Sequence, residues 1–348
     1  MSDGKVKFMS HNSKILHRSS EFELIERFFA PLAGKEGLGL VDDVACLPTR
    51  PGYDLVLTVD AVVAGIHFFH SDNPASIARK ALGVNISDLA AKGAIPSGFL
   101  LTLALPDDWT EIWMEGFADG LRKASEDWKC PLLGGDTVRS PGHLMISITA
   151  VGEVVSEKLP KRDSAHPNDV VFVTGTIGDA CLGLKIIQSE ICDSIKPLWL
   201  ETLSQSEKMF LKDRYYHPAP RLEFRSVIQS FANASMDISD GLLGDFLKLA
   251  HASKLGARLD LEYDLLSSSA LKAVQSDSGL FETLLSGGDD YEILFTVSSE
   301  KAEACKKMIQ SLRLPVRTVG SMGKAGESVE FYRDGMPLTI SRKSFSHF

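Results

Sequence analysis

Leu159-Pro-Lys-Arg-Asp-Ser-Ala-His-Pro-Asn-Asp169 is followed at once by Val170-Val-Phe-Val-Thr174 and then by Gly175-Thr-Ile-Gly178. The first run is polar, holds proline near both ends and lacks any apolar period, which is how a linker reads. The second is a short continuous apolar run of the kind buried strands show, and the glycines after it open a helical pattern that lasts to Ile187. A strand-turn-helix unit starting afresh behind a linker predicts two α/β domains. We expect an N-terminal domain over 20–158, a C-terminal domain over 167–348, and a loose polar extension over 1–19.

The alternation of strand and helix continues outward on both sides. Upstream, Ser20 and Glu23 have capping-box spacing, and Phe22, Ile25 and Phe28 predict a helix up to Pro31. A strand at Leu55–Val59, a helix from Pro74 to about Lys92, a strand at Phe99–Leu105, a helix over Thr110–Trp128 and strands near Leu132 and Met145–Val154 follow. Downstream we expect a helix after Pro220, a strand ending at Met236–Ile238, a helix from Gly241 to Ser253 and a strand at Ala257–Leu261. The strand Tyr291–Val297, the helix Glu300–Leu312 and the strand Val316–Gly320 complete the reading.

A length of 348 residues suits two domains, and 44% apolar with 24% charged residues is an ordinary globular balance. The net charge of −9 argues against a partner such as duplex nucleic acid, whose phosphates need cationic neutralisation. No apolar run reaches the roughly 18 residues of a membrane span, and Met1–Ser19 has no apolar secretory core, so a cytoplasmic protein is expected. The five cysteines, Cys46, Cys130, Cys181, Cys192 and Cys305, are scattered and never spaced for zinc, as in a reducing compartment.

Aspartates recur beside glycines or at strand ends: Asp42-Asp43, Asp60, Asp88, Asp136, and Asp237 with Asp240 in Asp-Ile-Ser-Asp-Gly. Any one of them would ordinarily be a solvated surface acid. Several emerging from apolar runs are costly unless paired or metal-bound, and few basic residues stand next to them in sequence. Magnesium takes carboxylate oxygens and bridges to phosphate, so the set reads as a metal-nucleotide site. Gly134-Gly135, Gly175, Gly178 and Gly241 add places where backbone amides could approach an anion. There is no G-x-x-x-x-G-K-[ST] and no G-x-G-x-x-G, and Lys161-Arg162-Asp163 lacks the rest of a kinase catalytic loop. His67 and His70 alone make a weak ligand pair, read here as polar contacts.

In order, the segments Asp42-Asp-Val-Ala45, Thr58-Val-Asp60, Lys80-Ala-Leu-Gly-Val-Asn-Ile-Ser-Asp-Leu-Ala-Ala91, Gly134-Gly-Asp-Thr137, Val173-Thr-Gly-Thr-Ile-Gly-Asp179, His217-Pro-Ala-Pro-Arg221, Asp237-Ile-Ser-Asp-Gly-Leu242 and Ser286-Gly-Gly-Asp-Asp-Tyr-Glu292 resemble the thiamine-monophosphate kinase family. That family belongs with aminoimidazole ribonucleotide synthetase and selenophosphate synthetase. The resemblance implies a two-domain synthetase-like α/β fold whose N-terminal sheet forms a homodimer. It also implies magnesium-dependent, in-line transfer from ATP to thiamine monophosphate without a phosphoenzyme.

By position, Asp43, Thr58, Asp60, Asp88, Asp136, Asp237 and Asp240 are implied magnesium ligands, with Val59 acting through its carbonyl; Asp43, Asp60, Asp88, Asp136 and Asp240 are the implied catalytic acids. Gly135, Asp136, Arg162 and Ser239 are implied ATP contacts, and His67, Asp289 and Arg342 implied contacts to the thiamine moiety. Three positions depart from the family pattern. Val41 stands where glycine is usual, Asp289 where glutamate is common, and Arg342, with Phe345 nearby, where an aromatic residue often packs on the ring. The rival functions are another ATP-using synthetase of this superfamily, a metal-dependent phosphohydrolase and a non-catalytic nucleotide sensor.

Overall fold

Two sheets lie on either side of the 159–169 segment, and the apolar run after it is a strand of the second. The computed structural model describes residues 19–191, 196–312, 315–338 and 340. Arg342, Phe345, Cys192 and all but the last residue of the expected 1–19 extension lie outside the described residues. The first sheet holds β1 (Tyr53–Val63), β2 (Ile95–Leu105), β3 (Leu132–Arg139) and β4 (Met145–Val155) in the order β1-β4-β2-β3, with only β2 and β3 parallel. The second holds β5 (Val170–Thr174), β6 (Ala232–Ile238), β7 (Ala257–Asp260), β8 (Glu292–Val297), β9 (Val316–Met322), β10 (Val329–Arg333) and β11 (Met336–Pro337). Its order is β11-β10-β7-β9-β5-β8-β6.

The helix Pro74–Ala91 fixes how the two halves meet. Asn73 caps it by accepting the Ala75 N–H, and Pro74 occupies its first turn, where no amide partner is needed. Leu82, Ile86 and Leu89 bury against the first sheet, each contributing roughly 1.5–3 kcal/mol. Ala90 and Ala91 pack instead into a cluster with Phe172, Phe224, Ile293 and Phe295 of the C-terminal half. The helix is therefore buried nearly all round, polar Lys80, Asn85 and Ser87 included, because both halves cover it. Lys92, just past its end, donates to the carbonyl of Pro160 in the linker and to that of Ser235 on β6.

Three local expectations change. The N-terminal helix is α-helical only over Glu21–Leu24 and continues as a π turn over Ile25–Phe29. The wider turn rotates the apolar face, so Phe22 is 83% exposed while Leu24, Phe28 and Phe29 are buried. Gly134 and Gly135 lie inside β3, not in an anion-cradling loop or at a helix start. Short helices at Leu198–Thr202, Gln205–Tyr216, Ser268–Ser276 and Leu280–Leu285, and the strands β10 and β11, extend the reading. Among the described residues no helix is long and apolar enough to cross a membrane.

Candidate active site

A cavity of about 940 Å³ opens between the halves, lined by Asp60, His67 and Asp88 from the first, Arg162 from the linker, and Asp237, Ser239, Asp240 and Asp289 from the second. Each arrives by a local rule. Asp60 sits on β1, where its N–H donates to the Asn85 side chain at 3.0 Å. Asn85 is fully buried and also donates to the Ala81 carbonyl, so it ties strand to helix. Asp88 lies one helical turn beyond and accepts the Thr58 hydroxyl. Ser87 donates to Asp237 at 2.9 Å across the domain boundary.

The Ser239-Asp240-Gly241 turn is held by Asp245, whose side chain accepts both the Ser239 and Asp240 N–H groups at 3.0 and 2.9 Å. Gly241 has φ +102°, and a Cβ there would lie 2.6 Å from the Ser286 carbonyl carbon. Only glycine lets the 239–241 turn and the 286–291 loop approach so closely. His67 Nδ1 accepts the Val63 N–H at 3.0 Å, which puts the proton of the neutral ring on Nε2.

The acids crowd one another. Burial, then the charges of Asp88 and Asp240, push the Asp60 carboxyl up to about 6. Burial, with Asp88 next, drives Asp237 well above the ordinary carboxylate range against the opposing bond from Ser87. Lys248 pairs with Asp240 at 2.5 Å and with Asp245 at 2.8 Å. Burial, reinforced by Arg162, brings the Lys92 ammonium down to about 8, though Asp88, Asp237 and Asp163 pull the other way. A wall of carboxylate oxygens whose charge is opposed first by burial and then by mutual repulsion suits a hard divalent cation.

The expected ligand set is not gathered at one point. Asp43, Gly135 and Asp136 line a second cavity of about 420 Å³ on the first sheet. Among the described residues no three His, Cys, Asp or Glu side chains stand close enough to hold a metal ion. The register explains why Asp136 is missing from the first cavity. Asp60 pairs with Ile148, Ile148 with Leu101 and Leu101 with Gly135, so Asp60 and Asp136 lie on opposite edge strands. Three strand spacings of about 4.8 Å put them roughly 14 Å apart, and the pleat turns Asp136 to the other face. Gly135 is fixed by packing, since a Cβ there would meet the Leu101 carbonyl oxygen at 1.8 Å. Val59 also points to that other face, with 60% exposure, and neither it nor Thr58 lines either cavity.

Asp245 and Lys248 line the cavity, and Lys92 feels the charges of Arg162, Asp88 and Asp237 in its wall, but none of the three was singled out by sequence reading. Asp245 had a signal: an acid in the first turn of a helix that reaches back to amides ahead of it. The two lysines gave none, because their partners are brought to them only by folding.

Residues 41–154 match the family described as AIR synthase related protein, N-terminal domain, and residues 166–333 match its C-terminal domain. Thiamine-monophosphate kinase of Salmonella typhimurium is 36% identical over 331 residues, covering 94% of this chain and 98% of that one. The crystal structure of thiamine-monophosphate kinase from Stenotrophomonas maltophilia superposes with a TM-score of 0.74 at 32% identity, covering 86% of this chain and 91% of that one. AaThiL complexed with AMPPCP and TMP gives a TM-score of 0.72 at 32% identity, covering 94% and 97%. With both halves matched and the full span shared with such relatives, the chain belongs to the thiamine-monophosphate kinase family and carries the two-domain AIR synthase related fold.

Proposed function

We propose that the chain transfers the terminal phosphoryl group of ATP to the phosphate of thiamine monophosphate, forming thiamine diphosphate and ADP in the cleft between its halves. The observation that carries this is the convergence of Asp60, Asp88, Asp237 and Asp240 on one cavity, with Arg162 and Ser239 in the same walls as His67 and Asp289. One relative with this fold is described as complexed with AMPPCP and TMP, a nucleotide analogue and the acceptor together.

The attacking group is a phosphate oxygen that is already anionic, so the chain needs no general base. Its task is to align two phosphorylated molecules and offset their repulsion. Arg162, permanently charged and bidentate, suits the nucleotide phosphates. Ser239 suits the nucleotide as well, held in place through Asp245. His67 and Asp289 orient the thiamine moiety, with His67 offering its Nε2–H. Asp60, Asp88, Asp237 and Asp240 would hold magnesium by one or two carboxylates per ion, as magnesium in phosphate sites needs, and magnesium when bound supplies the positive charge between the two reactants.

A homodimer accounts for the remaining acids. β1 and β3 are the two edges of the first sheet, and Leu55, Leu57, Val59, Leu100 and Val138 are exposed on its open face. Exposed edges with an apolar face mark an association surface. Pairing β1 of one copy with β3 of another would bring the strand of Asp136 beside the strand of Asp60. The need for ATP and the free thiols of Cys46, Cys130 and Cys305 suit a cytoplasmic enzyme.

Incubation with ATP, magnesium and thiamine monophosphate is expected to yield thiamine diphosphate and ADP in equal amounts. Free phosphate without thiamine diphosphate would assign a hydrolase instead, and bound ATP without turnover a sensor. Leu57→Glu, on the open face at 67% exposure, is expected to give a monomer by sedimentation and to lower transfer by at least about a hundredfold, as loss of several phosphate-facing contacts should. A dimeric, fully active variant would remove this interface.

A further inference from the structure

Behind the cavity wall lies a buried lysine that no part of the proposed mechanism uses. Lys80 is on the helix Pro74–Ala91 with its side chain 4% exposed, and it does not line the cavity. Its Nζ donates to Asp289 Oδ2 at 2.8 Å and stands 3.8 Å from the centre of the Tyr215 ring. Burying an ammonium is costly without a paired anion, and Asp289 is the ion-pair partner it has among the described residues. Asp72, also buried, feels its charge.

Both neighbours lead to the acceptor side of the cleft. The Tyr215 hydroxyl donates to the His67 carbonyl at 3.2 Å. Asp289 receives a second bond from the Tyr291 hydroxyl on Oδ1 at 3.1 Å, and its own N–H donates to the Ser239 carbonyl at 2.9 Å. Asp289 and Tyr291 have φ of +72° and +52°, a backbone that non-glycine residues keep only when surrounding contacts impose it. Lys80 is one of those contacts.

We infer that Lys80 is a positioning residue for acceptor recognition: from behind the wall it sets the Asp289 carboxylate by an ion pair and braces His67 through the Tyr215 ring. A carboxylate accepts at about four positions, and Lys80 and Tyr291 use one on each oxygen, so the rest of Asp289 stays available to the cavity. This matters more for aspartate than for a longer acid, because its shorter side chain must be held at the wall to reach a ligand. The inference rests on the reading of Asp289 as a contact to the thiamine moiety.

The test measures thiamine monophosphate binding by calorimetry without nucleotide, ATP-analogue binding separately, and steady-state KM and kcat. Lys80→Met is expected to weaken thiamine monophosphate binding about tenfold, leave ATP-analogue binding unchanged and raise the acceptor KM more than it lowers kcat. Lys80→Arg is expected to recover most of that loss. The double variant of Lys80→Met with Asp289→Asn should lose less than the sum of the two single losses, because the ion pair is already gone in Asp289→Asn and only the Tyr215 route is left to remove. Additive losses, or equal losses of both ligands, would overturn the inference. If Asp289→Asn itself leaves acceptor binding unchanged, the reading of Asp289 fails; if it weakens binding and Lys80→Met does not, the role of Lys80 fails. Should Lys80→Met not fold, Tyr215→Phe, which keeps the ring and removes its bond to His67, is expected to raise the acceptor KM alone. An unchanged KM there would equally overturn it.

Discussion

Asp60→Asn is expected to lower kcat/KM by on the order of 10³-fold while raising the thermal midpoint in magnesium-free buffer above pH 6. The loss follows because the variant removes a charge from the metal-facing wall, and charge neutralisation between phosphates is worth several kcal/mol. The gain follows from the burial of this carboxyl and, after it, from the nearby charges of Asp88 and Asp240. Asp60 titrates near 6 in the folded chain against an ordinary 3.8. Between those values the folded state holds a proton that the unfolded state has lost, so stability falls as pH climbs from about 4 to about 6, and the penalty is complete above that. Solvent enters the cleft and screens the charge, so the penalty is about 1 kcal/mol, or roughly 2 °C in midpoint. Asparagine removes it, and below about pH 4 variant and wild type should coincide. Calorimetric scans at pH 7.5 and pH 4 check this; a lower midpoint for the variant at pH 7.5, or wild-type turnover, would count against the site.

Glu292→Gln is expected to cost about 3–5 kcal/mol, the usual penalty for leaving buried charges uncompensated. Glu292 is fully buried and receives Arg214 at 2.9 Å, Arg221 Nε at 2.7 Å and the Thr174 hydroxyl at 2.7 Å. Glutamine keeps the shape but offers one neutral acceptor to two guanidiniums. Arg214 also donates to the Asp290 carbonyl, so the 286–291 loop that carries Asp289 should loosen with it. A drop of roughly 10 °C in thermal midpoint is the expected reading. A midpoint within 2 °C of wild type, roughly 1 kcal/mol, would mean that the two arginines find other partners.

Much of the architecture was readable in one dimension. The strand at Val170–Thr174 and the helix over Pro74–Ala91 follow from period, proline and capping, which act within a few residues. The capping box at Ser20 is real, yet the apolar positions after it gave the wrong face, because a π turn is decided by packing and not by spacing. Gln205–Tyr216 has its own capping box at Ser204 and Glu207 and could have been found the same way. Glu292 was visible only as the end of a motif, since its arginines come from Arg214 and Arg221, some 70 residues earlier.

The sequence by itself determined which residue types would carry charge, which segments would be strands and helices, and that acids would crowd some buried place, since these depend on local preference and on the cost of burying a carboxylate. Only the tertiary structure decided which acids share a cavity. Strand order and the two-residue alternation of the pleat put Asp60 and Asp136 on opposite edges and faces of one sheet. It alone decided, too, that Lys80 would be buried and Lys92 half-buried against particular partners, because pairing between distant segments is settled by where the helix docks.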